Sequence, residues 1–178
     1  MKNDIQKILL SKEEITSICQ KLGHQIEEDY KDKKPVLVGL LKGCMPFMSD
    51  LFKCINSYVY LDYMSVSSYE GTSSTGVIKI NKDVSTDIRG KDVIVIDDII
   101  DTGHTLKYIT KYFLDKGARS VKTCCLLDKP EGRKVEISAD YVGHVIPNEF
   151  VVGYGLDYDG LYRNLDFIGV LKPEVYSK

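Results

Sequence analysis

Strand-length apolar runs alternate with segments of helical spacing, and that alternation leaves few folds open to this chain. The runs are Val36–Leu41, Val59–Val66, Val93–Ile96 and Val121–Leu127. Ahead of the first, Ser11-Lys12-Glu13-Glu14 forms a capping box, and Ile15, Ile18, Leu22 and Ile26 then share one helical face to about Lys31. Pro46 suits the first turn of a second helix, reaching about Ile55. A third is expected over 103–116, closed by Gly117. Short segments at 135–145 and 150–153 precede a loop rich in Gly, Tyr and Asp. The expectation is an α/β fold, a parallel twisted sheet flanked by helices. Ligands of such sheets bind outside the carboxyl ends of the strands. Leu41, Ile96 and Leu127 are such ends, and Lys42, Asp97 or Lys129 follows each within two residues.

Composition narrows the class of partner. A chain of 178 residues suits one domain with a real core. A net charge of −2 gives no global basic field, so neither nucleic acid nor an anionic membrane is an expected partner. Met1–Lys12 lacks a secretory core, and no apolar run approaches the ~20 residues of a membrane span. The cysteines (Cys19, Cys44, Cys54, Cys124 and Cys125) are odd in number and form no CxxC pair. They are expected as buried thiols in a reducing cytoplasm.

The chemistry concentrates at Val93–Thr105. Four branched apolar residues run into Asp97-Asp98-Ile99-Ile100-Asp101, then Thr102-Gly103-His104-Thr105 opens the third helix. A helix N-terminus presents unpaired N–H groups and suits a phosphate. Asp101 alone could be a helix cap. Three carboxylates at the mouth of an apolar strand, however, repel one another unless a cation or ligand hydroxyls relieve them. No GxGxxG and no GxxxxGK[ST] occurs, which argues against dinucleotide and P-loop sites. The short 102–105 turn suits a single phosphate monoester.

The strand–Asp97-Asp98-x-x-Asp101-Thr102-Gly103-x-Thr105 pattern resembles the phosphoribosyl pyrophosphate motif of type I phosphoribosyltransferases, and its fuller form resembles their hypoxanthine-guanine branch. Leu41-Lys42-Gly43 is similar to the family's pyrophosphate loop. Ser67-Ser68-Tyr69 with Ser74-Thr75-Gly76 is similar to its closing loop. Lys129, Phe150–Tyr154, Leu156-Asp157-Tyr158 and Tyr162–Leu165 are similar to its purine and pyrophosphate elements. The likeness covers nearly the whole chain in order. It implies one domain over 1–178, with a core of about 10–128 and a small hood from the N-terminal residues and about 129–178.

The same resemblance implies a Mg²⁺-dependent exchange of pyrophosphate, at the anomeric carbon of phosphoribosyl pyrophosphate, for a purine nitrogen. Hypoxanthine or guanine would give IMP or GMP, and a homodimer or homotetramer is expected. Asp97 and Asp98 would face the ribose hydroxyls near magnesium, and Asp157 would bind a second magnesium or its waters. Asp101 would be the general base at purine N7. Thr102, Gly103, His104 and Thr105 would hold the 5′-phosphate, while Lys42, Gly43 and Arg163 would hold pyrophosphate. Lys129 would bind the purine 6-oxo group, Phe150 would stack on the ring, Val151 would offer backbone groups, and Ile99 and Asp157 complete that site. Ser68 and Tyr69 would close over it. Asp97 stands where the family more often has Glu. Cys44 and His104 occupy variable positions, and His24 and His144 read as structural or exposed. Two rivals remain: a xanthine-preferring enzyme, and a nucleotide-sensing regulator on the same fold.

Overall fold

The computed structural model describes residues 1–68 and 78–177. After a single 3₁₀ turn, strand β1 (Ile5–Leu10) leads into α1 (Lys12–Asp29), β2 (Val36–Leu41), α2 (Met45–Lys53), β3 (Tyr60–Ser68) and β4 (Ile78–Lys82). Then come β5 (Asp92–Ile100), α3 (His104–Asp115), β6 (Ser120–Asp128), β7 (Tyr141–Val145), β8 (Val151–Val152), β9 (Ile168–Leu171) and a last short helix, α4 (Pro173–Tyr176). Six strands form one sheet in the order β4-β3-β2-β5-β6-β7, and three form a smaller sheet, β1-β9-β8. Among the described residues, β4 runs antiparallel to β3, and the other pairings of the large sheet are parallel. Among the described residues, no helix is long and apolar enough to cross a membrane.

Alternation along β2 explains why its every residue is apolar: successive side chains leave opposite faces, and both faces are covered. Leu37 packs with Ile15, Leu22, Phe47 and Leu51 from α1 and α2. Val36 and Val38 pack with Leu106, Ile109 and Phe113 from α3. The capping box at α1 forms as read: Ser11 Oγ accepts from the Glu14 amide at 3.2 Å, and the Ser11 amide donates to Glu14 Oε2 at 2.7 Å. The helix ends at Asp29, two residues short of the expected Lys31.

Several boundaries differ from the sequence reading. Strand β5 does not stop at Ile96. It continues through Asp97, Asp98 and Ile99 to Ile100, because β6 extends beside it and pairs Asp97 with Cys125 and Ile100 with Asp128. The segment expected at 135–145 keeps only Tyr141–Val145, which joins the large sheet beside β6. Strands β1 and β9 went unread, because β1 carries Gln6 and Lys7 and leaves Ile8 exposed, so it lacks an apolar run. Tyr69, Ser74-Thr75-Gly76 and Val77 lie outside the described residues, as does the side chain of Ser68.

Candidate active site

The carboxyl ends of β2, β5 and β6 bring most of the singled-out residues to one edge. Pairing between β2 and β5 ends at Gly39–Ile96, so beyond Ile96 the acids of β5 face the turn that follows β2. That turn is Lys42-Gly43, preceded by a cis peptide between Leu41 and Lys42. Gly43 lies against Asp98 so closely that a Cβ there would sit 1.8 Å from Asp98 Oδ2, and only glycine allows that approach. The Asp98 amide donates to Asp97 Oδ1 at 3.1 Å, and the Ile99 amide to Asp98 Oδ1 at 2.9 Å.

Both acids are partly buried. Burial first, and the neighbouring Asp98 charge second, hold Asp97 well above the ordinary carboxylate range. Burial raises Asp98 as well, against hydrogen bonds with Asp97 and the Ile99 amide and the positive charge of Arg163. The adjacent Cys44 thiol is fully buried, and burial together with the two acids pushes its pKa up, so it is an unreactive thiol.

Asp101 follows β5 and does not cap α3. The N-cap is Gly103, in the left-handed region at φ +85, with no side-chain cap. Asp101 instead meets Lys129, with Oδ2 2.6 Å from Nζ. The segment after β6 wraps the Asp101 turn from outside. Lys129 N donates to Ile100 O at 3.0 Å, and Lys134 N to Thr102 O at 2.9 Å. A Cβ on Gly132 would come within 1.8 Å of Asp101 Oδ1. Arg133 donates to the carbonyls of Ile100 and Asp101 and to the Asp128 carboxylate. Sequence reading missed Arg133, since its partners are mostly backbone oxygens that carry no motif. Its only signal is a basic residue four places after Lys129 across a Pro-x-Gly turn.

Thr102–Thr105 leads into the first turn of α3, where Lys107 N makes the first helical bond, to Gly103 O. The amides ahead of Lys107 therefore have no partner within the helix. His104 is exposed, as are His24 and His144.

Arg163 and Asp157 pair at 2.5 Å, and Asp157 also accepts from the Gly160 amide at 2.8 Å. Asp157 is thus engaged within its own segment. Among the described residues, no three acidic, His or Cys side chains form a ready ion site. Phe150 is not core: it is 40% exposed, stacks on Tyr176 at 4.8 Å and meets Tyr158 edge-on at 5.7 Å. Val151 and Val152 are buried in the small sheet, and Ile99 is partly buried beside the main core.

Known proteins resemble this chain in sequence and in fold. The phosphoribosyl transferase domain matches residues 6–159. A hypoxanthine-guanine phosphoribosyltransferase of Streptococcus pneumoniae is 57% identical over 178 residues, 99% of each chain. One from Streptococcus pyogenes is 55% identical, covering 100% of this chain and 99% of its own. The crystal structure of a hypoxanthine phosphoribosyltransferase from Staphylococcus aureus superposes with a TM-score of 0.97 at 53% identity, covering 100% of this chain and 97% of that one. The chain therefore belongs to the phosphoribosyl transferase domain family.

Proposed function

We propose that this protein transfers the 5-phosphoribosyl group of phosphoribosyl pyrophosphate to hypoxanthine or guanine, releasing pyrophosphate and giving IMP or GMP for purine salvage. The observation that carries this reading is the Asp101–Lys129 pair at 2.6 Å. A 6-oxopurine presents O6 and N7 side by side on one edge. A lysine donor beside a carboxylate acceptor is the complement of an oxo group next to a protonated N7. Adenine would bring an amino donor against Lys129 and is disfavoured.

In this reading the purine N9 lone pair forms the bond to C1′ while the C1′–oxygen bond breaks, its electron pair leaving with pyrophosphate. The N7 proton passes to Asp101, whose help as a general base is worth ~10²–10⁴-fold. Asp97 and Asp98 hold the ribose hydroxyls. Thr102, Gly103, His104 and Thr105 hold the 5′-phosphate at the start of α3. Lys42, Gly43 and Arg163 hold pyrophosphate. Phe150 stacks on the purine, which Ile99, Val151 and Asp157 bound, and Ser68 and Tyr69 close the site so that water does not reach the ribosyl centre.

The residues fit Mg²⁺ as a cofactor. Asp97 and Asp98 are a repelling acid pair that a hard cation relieves. Two carboxylates without a full protein cage suit an ion that keeps waters and substrate oxygens. Asp97 and Asp98 would hold the ion, with Asp157 binding a second one or its waters, and the chemistry it would supply is neutralisation of pyrophosphate charge. The chain is read as one domain whose hood comes from its two ends, working in the cytoplasm, where its five free thiols stay reduced, and assembling as a homodimer or homotetramer.

An assay with phosphoribosyl pyrophosphate, Mg²⁺ and each of hypoxanthine, guanine, xanthine and adenine tests this. Turnover with the first two, abolished by excess chelator, is expected. Turnover with xanthine alone would make it the xanthine enzyme, and no turnover with any base would favour a nucleotide sensor.

A further inference from the structure

The segment that carries Arg163 and the helix that follows the Lys42 turn are joined by a side-chain link between a buried tyrosine and a half-exposed aspartate. Tyr154 is 8% exposed and lies in the left-handed region at φ +49, between Gly153 and Gly155, both at φ +101. Positive φ is uncommon outside glycine. Its phenol donates to Asp50 Oδ2 at 2.6 Å and lies 3.3 Å from the Pro46 carbonyl. Asp50 and Pro46 belong to α2, the helix that starts directly after the Lys42-Gly43 turn.

The same turn grips Arg163. The Gly155 amide donates to Arg163 O at 3.0 Å, the Arg163 guanidinium returns a bond to Gly155 O at 2.5 Å, and the Tyr154 amide donates to Leu165 O at 2.9 Å. Gly155 in turn lies on the other segment: a Cβ there would come within 2.0 Å of Gly43 O. Burial, and then the Asp50 carboxylate, raise the phenol's pKa, so it stays a donor. Burial would raise Asp50 too, but the bonds from Lys53 and Tyr154 outweigh it and hold Asp50 below the usual range. The link is therefore a charge-assisted hydrogen bond.

We propose that Tyr154 and Asp50 are positioning residues for pyrophosphate: their hydrogen bond sets the spacing between the Lys42-Gly43 turn and Arg163, so that both reach one diphosphate. This rests on the reading of that edge as a pyrophosphate site. Misplacement of a binding group by about 1 Å costs as much as 10²-fold, so a small loosening here is measurable.

The test compares wild type with Tyr154→Phe, Asp50→Ala and the double variant, in nucleotide synthesis, in the reverse reaction of IMP with pyrophosphate, and by calorimetric titration of pyrophosphate with Mg²⁺. Each single variant is expected to raise KM and Kd for pyrophosphate about tenfold, the low end of what a hydrogen bond to a charged group supplies. KM for hypoxanthine should stay within about twofold, and the double variant should be no worse than the worse single one. A Tyr154→Phe protein that lowers Tm but leaves pyrophosphate affinity unchanged would overturn the proposal, since that is the mark of a purely structural bond. Equal loss for purine and pyrophosphate would overturn it too. The titration needs no turnover. A wild type that binds pyrophosphate but makes no nucleotide would sink the purine reading and leave this one standing on its own result. If Asp50→Ala fails to fold, Tyr154→Phe, which keeps the ring and removes one oxygen, decides alone.

Discussion

Asp101 and Lys129 hold opposite charges 2.6 Å apart, with the lysine side chain 14% exposed and the acid 41% exposed. The more accessible partner is the one proposed to take the purine proton, and the more covered one is held by its strand end. Asp101→Asn keeps the shape of the side chain and removes its basicity. The expected outcome is nucleotide formation slowed at least tenfold, the low end of general-base help, with phosphoribosyl pyrophosphate binding retained. Single-turnover rates beside a binding titration separate the two. Undiminished turnover would take Asp101 out of the base role. At this scale the sequence was informative wherever a charged residue closed a strongly apolar run: Lys42 and Lys129 follow the ends of β2 and β6, and Asp97 opens the part of β5 that runs on past its pairing with β2. It was silent where a side chain works on backbone or on a residue far along the chain. Arg133 clamps two carbonyls of the Asp101 turn, and Tyr154 reaches across more than a hundred positions to Asp50.

Elements with local signals were legible, and those that exist only through a distant partner were not. Helix α1 announces itself by Ser11 and Glu14 and by apolar residues at helical spacing, and both halves of its capping box form. Ser11→Ala removes the acceptor for the Glu14 amide and is expected to cost about 1 kcal/mol of stability. Urea unfolding checks this. An unchanged midpoint would mean that Glu14 alone, or water, satisfies the first turn. Strand β1, by contrast, pairs with β9 some 160 places later, Ile5 opposite Leu171 and Leu10 opposite Ile168. Neither has a period-2 pattern strong enough to read without the other. The overrun of β5 past Ile96 has the same origin: Asp97 and Asp98 read as the end of a strand, and their strand geometry comes from the β6 residues beside them.

Across the whole molecule, the two edges of the large sheet treat the same residue type in opposite ways. At the carboxyl edge, burial raises Asp97 and Asp98 above the ordinary carboxylate range. At the other end of the same strand, Asp92 is 5% exposed and fully partnered: Arg119 Nε donates to it at 3.0 Å, with a second guanidinium contact, and Ser120 Oγ donates at 2.7 Å. Those bonds, Arg119 first, hold Asp92 at about 2, below its ordinary 3.8. A carboxylate whose folded pKa is depressed stabilises the fold above its unfolded pKa and loses that contribution as pH falls through the folded one. The difference between about 3.8 and about 2 corresponds to at most ~2.4 kcal/mol. Arg119 is 60% exposed and screened by solvent, so about 1–1.5 kcal/mol is the better expectation. Asp92→Asn should therefore be less stable than wild type by about that amount at pH 7, with the gap narrowing below pH ~5 and roughly half gone by pH ~3. Denaturant unfolding of both proteins from pH 7 to pH 3 measures it. A gap that stays constant over that range would show that the Asp92 pair is not linked to protonation, and that the contrast between the two edges has no energetic counterpart.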